Sequence, residues 1–268
     1  MDATWLGLEK KTVIVTGGAS GIGYAIAQEL LADGANVVVC DINEEAPVFN
    51  GVQGRELYVV TDVTDKNSVE RMVAKAKTHF DTIDVLINNA GINIPCLLVD
   101  MQGQYELGEV VWDKVMDVNV KGVMLCTQAV AREMMTQGHG IILNMSSECG
   151  LEGSEGQSVY AASKSAVNAL TRSWAKELGK KGVRVVGVAP GIMEATGLRT
   201  LAYENALAYT RGVTVETLRA SYANVGSIPL GRSGKLCEVA NVVAYLISER
   251  ASYLHGVTIP VTGGKSRG

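Results

Sequence analysis

Apolar positions in this chain of 268 residues cluster into short dense runs, with longer stretches of helix-like spacing between them. The dense runs are 12–16, 36–41, 56–61, 84–88, 141–145, 183–189 and 257–261. Val and Ile dominate them and polar residues rarely alternate with apolar ones. That pattern predicts strands buried on both faces, the setting of a parallel sheet. Between the runs, spacing near 3.6 predicts helices over 24–33, 66–79, 112–137, 159–180 and 237–249. Strand and helix alternate from the start, which predicts an α/β fold built on a doubly wound parallel sheet of about seven strands, with helices on both faces. Residues 92–111 read as a long loop and 194–234 as less regular chain. Nothing repeats with a solenoid period, so residues 1–268 are expected to form a single domain.

The first dense run feeds directly into Gly17-Gly18-Ala19-Ser20-Gly21-Ile22-Gly23 and then a helix. Strand, glycine-rich turn and helix in this order suit a dinucleotide. Glycines let the backbone approach a pyrophosphate, and a helix N-terminus offers unpaired N–H groups and a favourable dipole. The second run ends in Asp41, about 20 residues beyond the glycines, where a carboxylate accepts hydrogen bonds from adenosine ribose hydroxyls and repels a 2′-phosphate. Ile42-Asn43-Glu44-Glu45 follow, with no cation to receive such a phosphate, so NAD is expected in preference to NADP.

Other polar residues stand where predicted strands end. Asp62 follows the third run, in reach of an adenine amino group, and Asp65 is placed to cap the next helix. Asn88-Asn89-Ala90-Gly91 end the fourth, Ser146-Ser147-Glu148 the fifth, and Pro190-Gly191-Ile192-Met193 the sixth. Ligands of open α/β sheets bind at these carboxyl ends. Asn119 lies inside a predicted helix, an unfavourable place for Asn unless its amide holds a specific partner. Tyr160 and Lys164 are four residues apart on one helix face. Alone, such a pair is most often ordinary surface. An ammonium group beside a phenol nevertheless favours the phenolate, and a Tyr so tuned can pass a proton to or from a substrate oxygen. Ser147, thirteen residues before Tyr160, can hydrogen-bond the same oxygen.

Composition narrows the field. A net charge of −4 with interspersed signs, and only two Phe, argue against nucleic-acid binding. No apolar run reaches the roughly 18 residues of a membrane span, and no basic-then-apolar leader opens the chain, so neither membrane nor secretion is expected. Cys40, Cys96, Cys126, Cys149 and Cys237 form no C-x-x-C pair, and His79, His139 and His255 are widely separated. Free thiols and no metal, in a cytoplasmic protein, are the expectation.

Thr16-Gly17-x-x-x-Gly21-x-Gly23, Asn88-Asn89-Ala90-Gly91, Asn119, Ser147, Tyr160-x-x-x-Lys164 and Pro190-Gly191, in this order and spacing, resemble the short-chain dehydrogenase/reductases over nearly the whole chain. The resemblance implies a Rossmann fold, hydride transfer between a nicotinamide cofactor and an alcohol or ketone, and a homo-oligomer, usually a tetramer. It makes Tyr160 the general acid/base, with Lys164 lowering its pKa and holding the nicotinamide ribose. Ser147 binds the reacting oxygen, and Asn119 positions a water in a proton relay. Gly17, Ser20, Gly21, Ile22 and Gly23 then carry the pyrophosphate, Asp41 and Ile42 the adenosine ribose region, and Asp62 and Val63 the adenine. Asn89, Ala90 and Gly91 border the neighbouring ribose, and Pro190, Gly191 and Ile192 the nicotinamide.

The chain departs from the family pattern in two places, a longer segment between Gly91 and Asn119 and a threonine displaced by one position to Thr196. Segments near 92–111 and 192–234 are therefore expected to shape the substrate pocket. The stretches 189–200, 227–235 and 263–268 resemble the branch of the family that acts on hexitol phosphates. That resemblance implies sorbitol 6-phosphate and fructose 6-phosphate as the substrate pair, NAD as cofactor, and a sugar or polyol phosphate as the small-molecule partner. Arginine forks suit phosphate, so Arg199, Arg211, Lys265 and Arg267 are the candidate phosphate ligands, with Glu148 beside them as a substrate residue. Two alternatives stay open: the same chemistry on an unphosphorylated polyol, sugar or other secondary alcohol, and a nucleotide-binding scaffold or redox sensor without catalysis.

Overall fold

The computed structural model describes residues 5–50, 54–194, 196–197, 199–223 and 226–266. One seven-stranded sheet runs through it, formed by β1 (Thr12–Thr16), β2 (Asn36–Asp41), β3 (Glu56–Val60), β4 (Val85–Asn88), β5 (Gly140–Met145), β6 (Val183–Pro190) and β7 (Thr258–Val261). Its order is β3-β2-β1-β4-β5-β6-β7, and every pairing is parallel. β1, β4 and β5 are buried at every residue, as their unbroken apolar runs require, whereas the edge strand β7 is only half-buried.

Alternation along the strands divides the core into two layers. Val13, Val15, Val37 and Val39 face α1 (Gly21–Ala32) and α9 (Leu236–Leu246), meeting Ile26, Leu30, Val239 and Val243. Ile14, Val38, Leu86 and Ile142 face the other way, against Val69 and Met72 of α2 (Lys66–Phe80) and Val130 and Met134 of α4 (Val123–Gln137). The long α6 (Ser158–Leu178) contributes Ala175 to this second layer. Burying each such aliphatic side chain contributes roughly 1.5–3 kcal/mol. Helices therefore cover both faces, and the strand order reverses beside β1, opening a crevice at the carboxyl ends of β1 and β4.

Three expectations need correction. The helix expected over 112–137 is not continuous: α3 (Glu109–Met116) passes into a wide π turn, Asp117–Gly122, before α4 begins. The extra residue in that turn brings Asn119 inward. Gly122 is required there, because a Cβ would lie 2.7 Å from Val63 Cγ2. Residues 194–234 contain α7 (Leu201–Thr210) and α8 (Val215–Ala223), which pack on each other through Leu207, Leu218, Tyr203 and Tyr222. Their apolar faces meet each other rather than the main core, so the sequence pattern is weak. The segment before α3 is not a free loop either. Leu97 bridges Glu106, and Asp100 accepts N–H donors from Gln102, Gln104 and Tyr105 at 3.0, 2.9 and 2.8 Å. The Tyr209 hydroxyl on α7 donates to the same carboxylate at 2.9 Å.

Candidate active site

A cleft of about 830 Å³ opens along the carboxyl ends of β1, β2, β4, β5 and β6. Gly17, Ser20, Gly21 and Ile22 form its floor where β1 turns into α1. Gly17 and Gly21 hold φ of +62° and +56°, and a Cβ on Gly17 would sit 2.8 Å from Ala90 Cα. Ser20 precedes α1 without a side-chain cap, which leaves the first-turn N–H groups directed at the cleft. Gly23 lies behind the wall; a side chain there would overlap the Gly17 carbonyl. Asn89 latches this turn to β4, its amide donating to the Thr16 and Gly17 carbonyls at 3.0 Å each.

Asp41, Ile42, Asp62, Val63, Ala90 and Gly91 line the next part of the cleft. The Asp41 carboxylate accepts the Ala19 N–H at 3.1 Å, so it also fastens the glycine-rich turn. Asp65 caps α2 as expected, accepting from the Asn67 and Ser68 N–H groups. These features fit a dinucleotide: positive-φ glycines, an uncapped helix N-terminus and a carboxylate at the end of β2.

At the other end, β5 delivers Ser147 and α6 delivers Tyr160 and Lys164, and all three line the cleft. Lys164 is buried, and its ammonium donates to the Met145 carbonyl at 2.8 Å and stands 5.8 Å from the Tyr160 ring centre. Burial pulls its pKa down to about 8. Burial also pushes the Tyr160 phenol up, assisted by nearby Cys149, Tyr203 and Glu148, while the Ser147 hydroxyl pulls it back. The phenol is therefore raised rather than lowered from its ordinary value, since depth of burial cannot be read from an i, i+4 spacing. Asn119 is wholly buried and does not touch the cleft. Its amide pairs with both the N–H and the carbonyl of Ile92, at 2.8 and 2.9 Å, and donates to Ser163 at 3.0 Å.

Pro190 and Gly191 line the cleft, but Met193, Thr196 and Gly197 form the wall there rather than Ile192. Of the expected phosphate ligands, Lys265 is committed elsewhere, 2.7 Å from Glu148 Oε1. Glu148 Oε2 is buried with no hydrogen-bond partner among the described residues. Arg199 donates to the Met193 carbonyl at 2.5 Å and lies 4.0 Å over the Tyr222 ring. Arg211 ends α7 near Tyr203 and Tyr222, and its charge lowers both phenols' pKa against the larger effect of burial. Arg267 lies outside the described residues. Gln157 carries no sequence signal beyond preceding Tyr160 by three positions. It is buried, and its amide donates to the Tyr203 hydroxyl at 2.9 Å.

The fold and the Ser–Tyr–Lys cleft define a nicotinamide-dependent oxidoreductase. Residues 11–206 match the short chain dehydrogenase family, and the chain belongs to it. It is 54% identical to sorbitol-6-phosphate 2-dehydrogenase of Klebsiella pneumoniae over 268 residues, covering 99% of each chain. It is 39% identical to the 3-oxoacyl-acyl-carrier-protein reductase FabG of Thermotoga maritima, covering 96% of this chain and 98% of that one. Among solved structures, 3-ketoacyl-(acyl-carrier-protein) reductase from Brucella melitensis complexed with NADH superposes with a TM-score of 0.82 at 28% identity. That match covers 97% of this chain and 100% of the other. Among the described residues no helix is long and apolar enough to cross a membrane, and no cluster of His, Cys, Asp and Glu could hold a metal ion.

Proposed function

We propose that this oxidoreductase interconverts sorbitol 6-phosphate and fructose 6-phosphate with NAD. The observation that carries the substrate is the 54% identity, end to end, with the Klebsiella sorbitol-6-phosphate 2-dehydrogenase. Asp41 supports NAD, because its carboxylate lines the cleft where a 2′-phosphate would meet a like charge. A homotetramer working in the cytoplasm accords with the family resemblance.

When bound, the nicotinamide supplies the two-electron acceptor or donor for the hydride at the carbinol carbon. In oxidation, Tyr160 takes the alcohol proton as the hydride leaves; in reduction it returns that proton to the carbonyl oxygen. Ser147 holds the same oxygen by hydrogen bond. Its elevated pKa makes Tyr160 a good proton holder for reduction. Oxidation needs the phenolate, and the Lys164 ammonium, protonated below about pH 8, supplies the stabilising charge. Asn119 acts through its grip on Ile92, next to Gly91, where a Cβ would lie 3.4 Å from Lys164 Nζ.

The test is NADH formation across a panel of sorbitol 6-phosphate, sorbitol, simple secondary alcohols and, in reverse, fructose 6-phosphate and a 3-oxoacyl thioester. Sorbitol 6-phosphate is expected to exceed sorbitol in kcat/KM by at least 100-fold, and NAD to exceed NADP. Comparable rates with the two polyols would sink the phosphate assignment. Faster thioester reduction would favour the reductase activity named for the Thermotoga relative.

A further inference from the structure

The segment between Arg199 and Arg232 carries four arginines, and their surroundings differ. Arg219 and Arg232 are each ion-paired, to Glu204 and Glu238, with N–O distances of 2.6 Å. Arg199 and Arg211 pair with no carboxylate among the described residues. Arg199 spends one donor on the Met193 carbonyl and stacks on Tyr222, which fixes its plane and leaves the other N–H groups of the fork without a partner among the described residues. Arg211 has no side-chain hydrogen bond among the described residues, and the two tyrosines it acts on, Tyr203 and Tyr222, lie on α7 and α8. The Gln157 amide donates to the Tyr203 oxygen, so the Tyr203 proton is left to point at another acceptor. Two guanidinium groups that form no ion pair among the described residues, with Glu204, itself paired to Arg219, the only carboxylate there close enough to feel Arg199, and hydroxyl donors around a pair of half-buried rings make a site for an anion with several oxygens.

Its position is equally telling. Gln157 lies one helical turn before Tyr160, and Met193, which Arg199 holds, lines the cleft beside Gly191. Tyr203 stands close enough to Tyr160 to push its pKa up, so the cluster lies beside the reacting end of the cleft, just behind the residues that line it. Also near Tyr160, the cationic candidate Lys265 is taken by the buried Glu148 carboxylate.

We propose that Arg199 and Arg211, with the hydroxyls of Tyr203 and Tyr222, form the recognition site for the phosphate group of a phosphorylated polyol or ketose substrate. The assignment rests on the sugar-phosphate reading above. It orients the substrate with its phosphate toward α7 and α8 and its oxidised carbon at Tyr160. Lys265 has no part in holding the phosphate.

Steady-state kinetics at saturating NAD test it, with sorbitol 6-phosphate and sorbitol as paired substrates. In Arg199→Met and Arg211→Met the ratio of kcat/KM for the two substrates is expected to fall at least 30-fold, through KM of the phosphate ester. Arg232→Gln, which removes an ion-paired arginine, should leave the ratio within twofold. Inorganic phosphate should inhibit the wild type competitively against the sugar phosphate, and Arg211→Met should lose that inhibition while NADH fluorescence titration shows the nucleotide still bound. Arg199→Lys keeps a cation over Tyr222 and reports on the fork alone if Arg199→Met fails to fold; a fall of at least tenfold is expected there. An unchanged ratio in arginine variants that still bind NADH overturns the site. If the wild type uses neither polyol, the substrate reading has failed separately. Phosphate inhibition measured on whichever alcohol is oxidised then decides the anion site: loss of inhibition in Arg211→Met supports it, and absence of inhibition in the wild type overturns it.

Discussion

Lys265 Nζ stands 2.7 Å from Glu148 Oε1, tying the C-terminal segment to the residue that follows Ser147. The other Glu148 oxygen is buried without a partner among the described residues, where Lys265 is the cation that compensates the carboxylate. Lys265→Met should lower stability by roughly 2 kcal/mol, less than for a fully buried pair because Lys265 keeps some contact with water. Adding Glu148→Gln should restore most of that loss. Urea unfolding of the single and double variants at pH 7 measures both.

Burial sets the sign of the Lys164 effect. Its pKa is about 8 in the folded protein against 10.5 in an unfolded chain, so the unfolded chain holds more protons between those values. Stability from this group therefore rises as pH climbs from about 8 to 10, and a penalty of about 3 kcal/mol operates below that window. Lys164→Met should abolish turnover yet raise the melting temperature at pH 7. Thermal unfolding of both proteins from pH 7 to 10 should show their difference shrinking with pH; a constant difference would contradict the assignment.

Asp41 accepts the Ala19 and Asn43 N–H groups and, on the proposed reading, also holds the adenosine ribose. Asp41→Ala should raise KM for NAD by at least tenfold and narrow the preference over NADP. It should also cost about 1 kcal/mol of stability from the unpaired turn N–H. Paired NAD and NADP kinetics with a melting curve separate the two consequences.

Asn119→Ala should cost about 2–4 kcal/mol, since it strips partners from both backbone groups of Ile92 and from Ser163. Asn119→Asp keeps the acceptor for the Ile92 N–H but loses both donors, and buries a charge. It should be no more stable than Asn119→Ala. Calorimetry at pH 7 ranks them.

Much of this architecture is legible along the chain. β1, β4 and β5 announce themselves because a strand buried on both faces tolerates almost nothing but apolar residues. The Gly17–Gly23 turn, Asp41 and Ser147 are legible because ligand sites in such sheets recur at strand ends, and Tyr160 and Lys164 because their spacing puts both on one face of α6. The failures share a cause. α7 and α8 pack chiefly on each other, the π turn at Asn119 answers to Val63 and Ile92, and the pKa of Tyr160 answers to depth. Each is set by residues far away in sequence, which periodicity does not sample.

The Tyr209 hydroxyl on Asp100 carries a lesson about inheritance. Residues 97–106 and α7, a hundred positions apart, are one exchangeable part. A chimera that takes either segment alone from a relative strands Asp100 or Tyr209 without its counterpart and leaves the Tyr105 ring without its neighbour. Substitutions in the two segments are therefore expected to arrive in pairs. Cut sites for grafting a new specificity onto this scaffold should bracket both segments together.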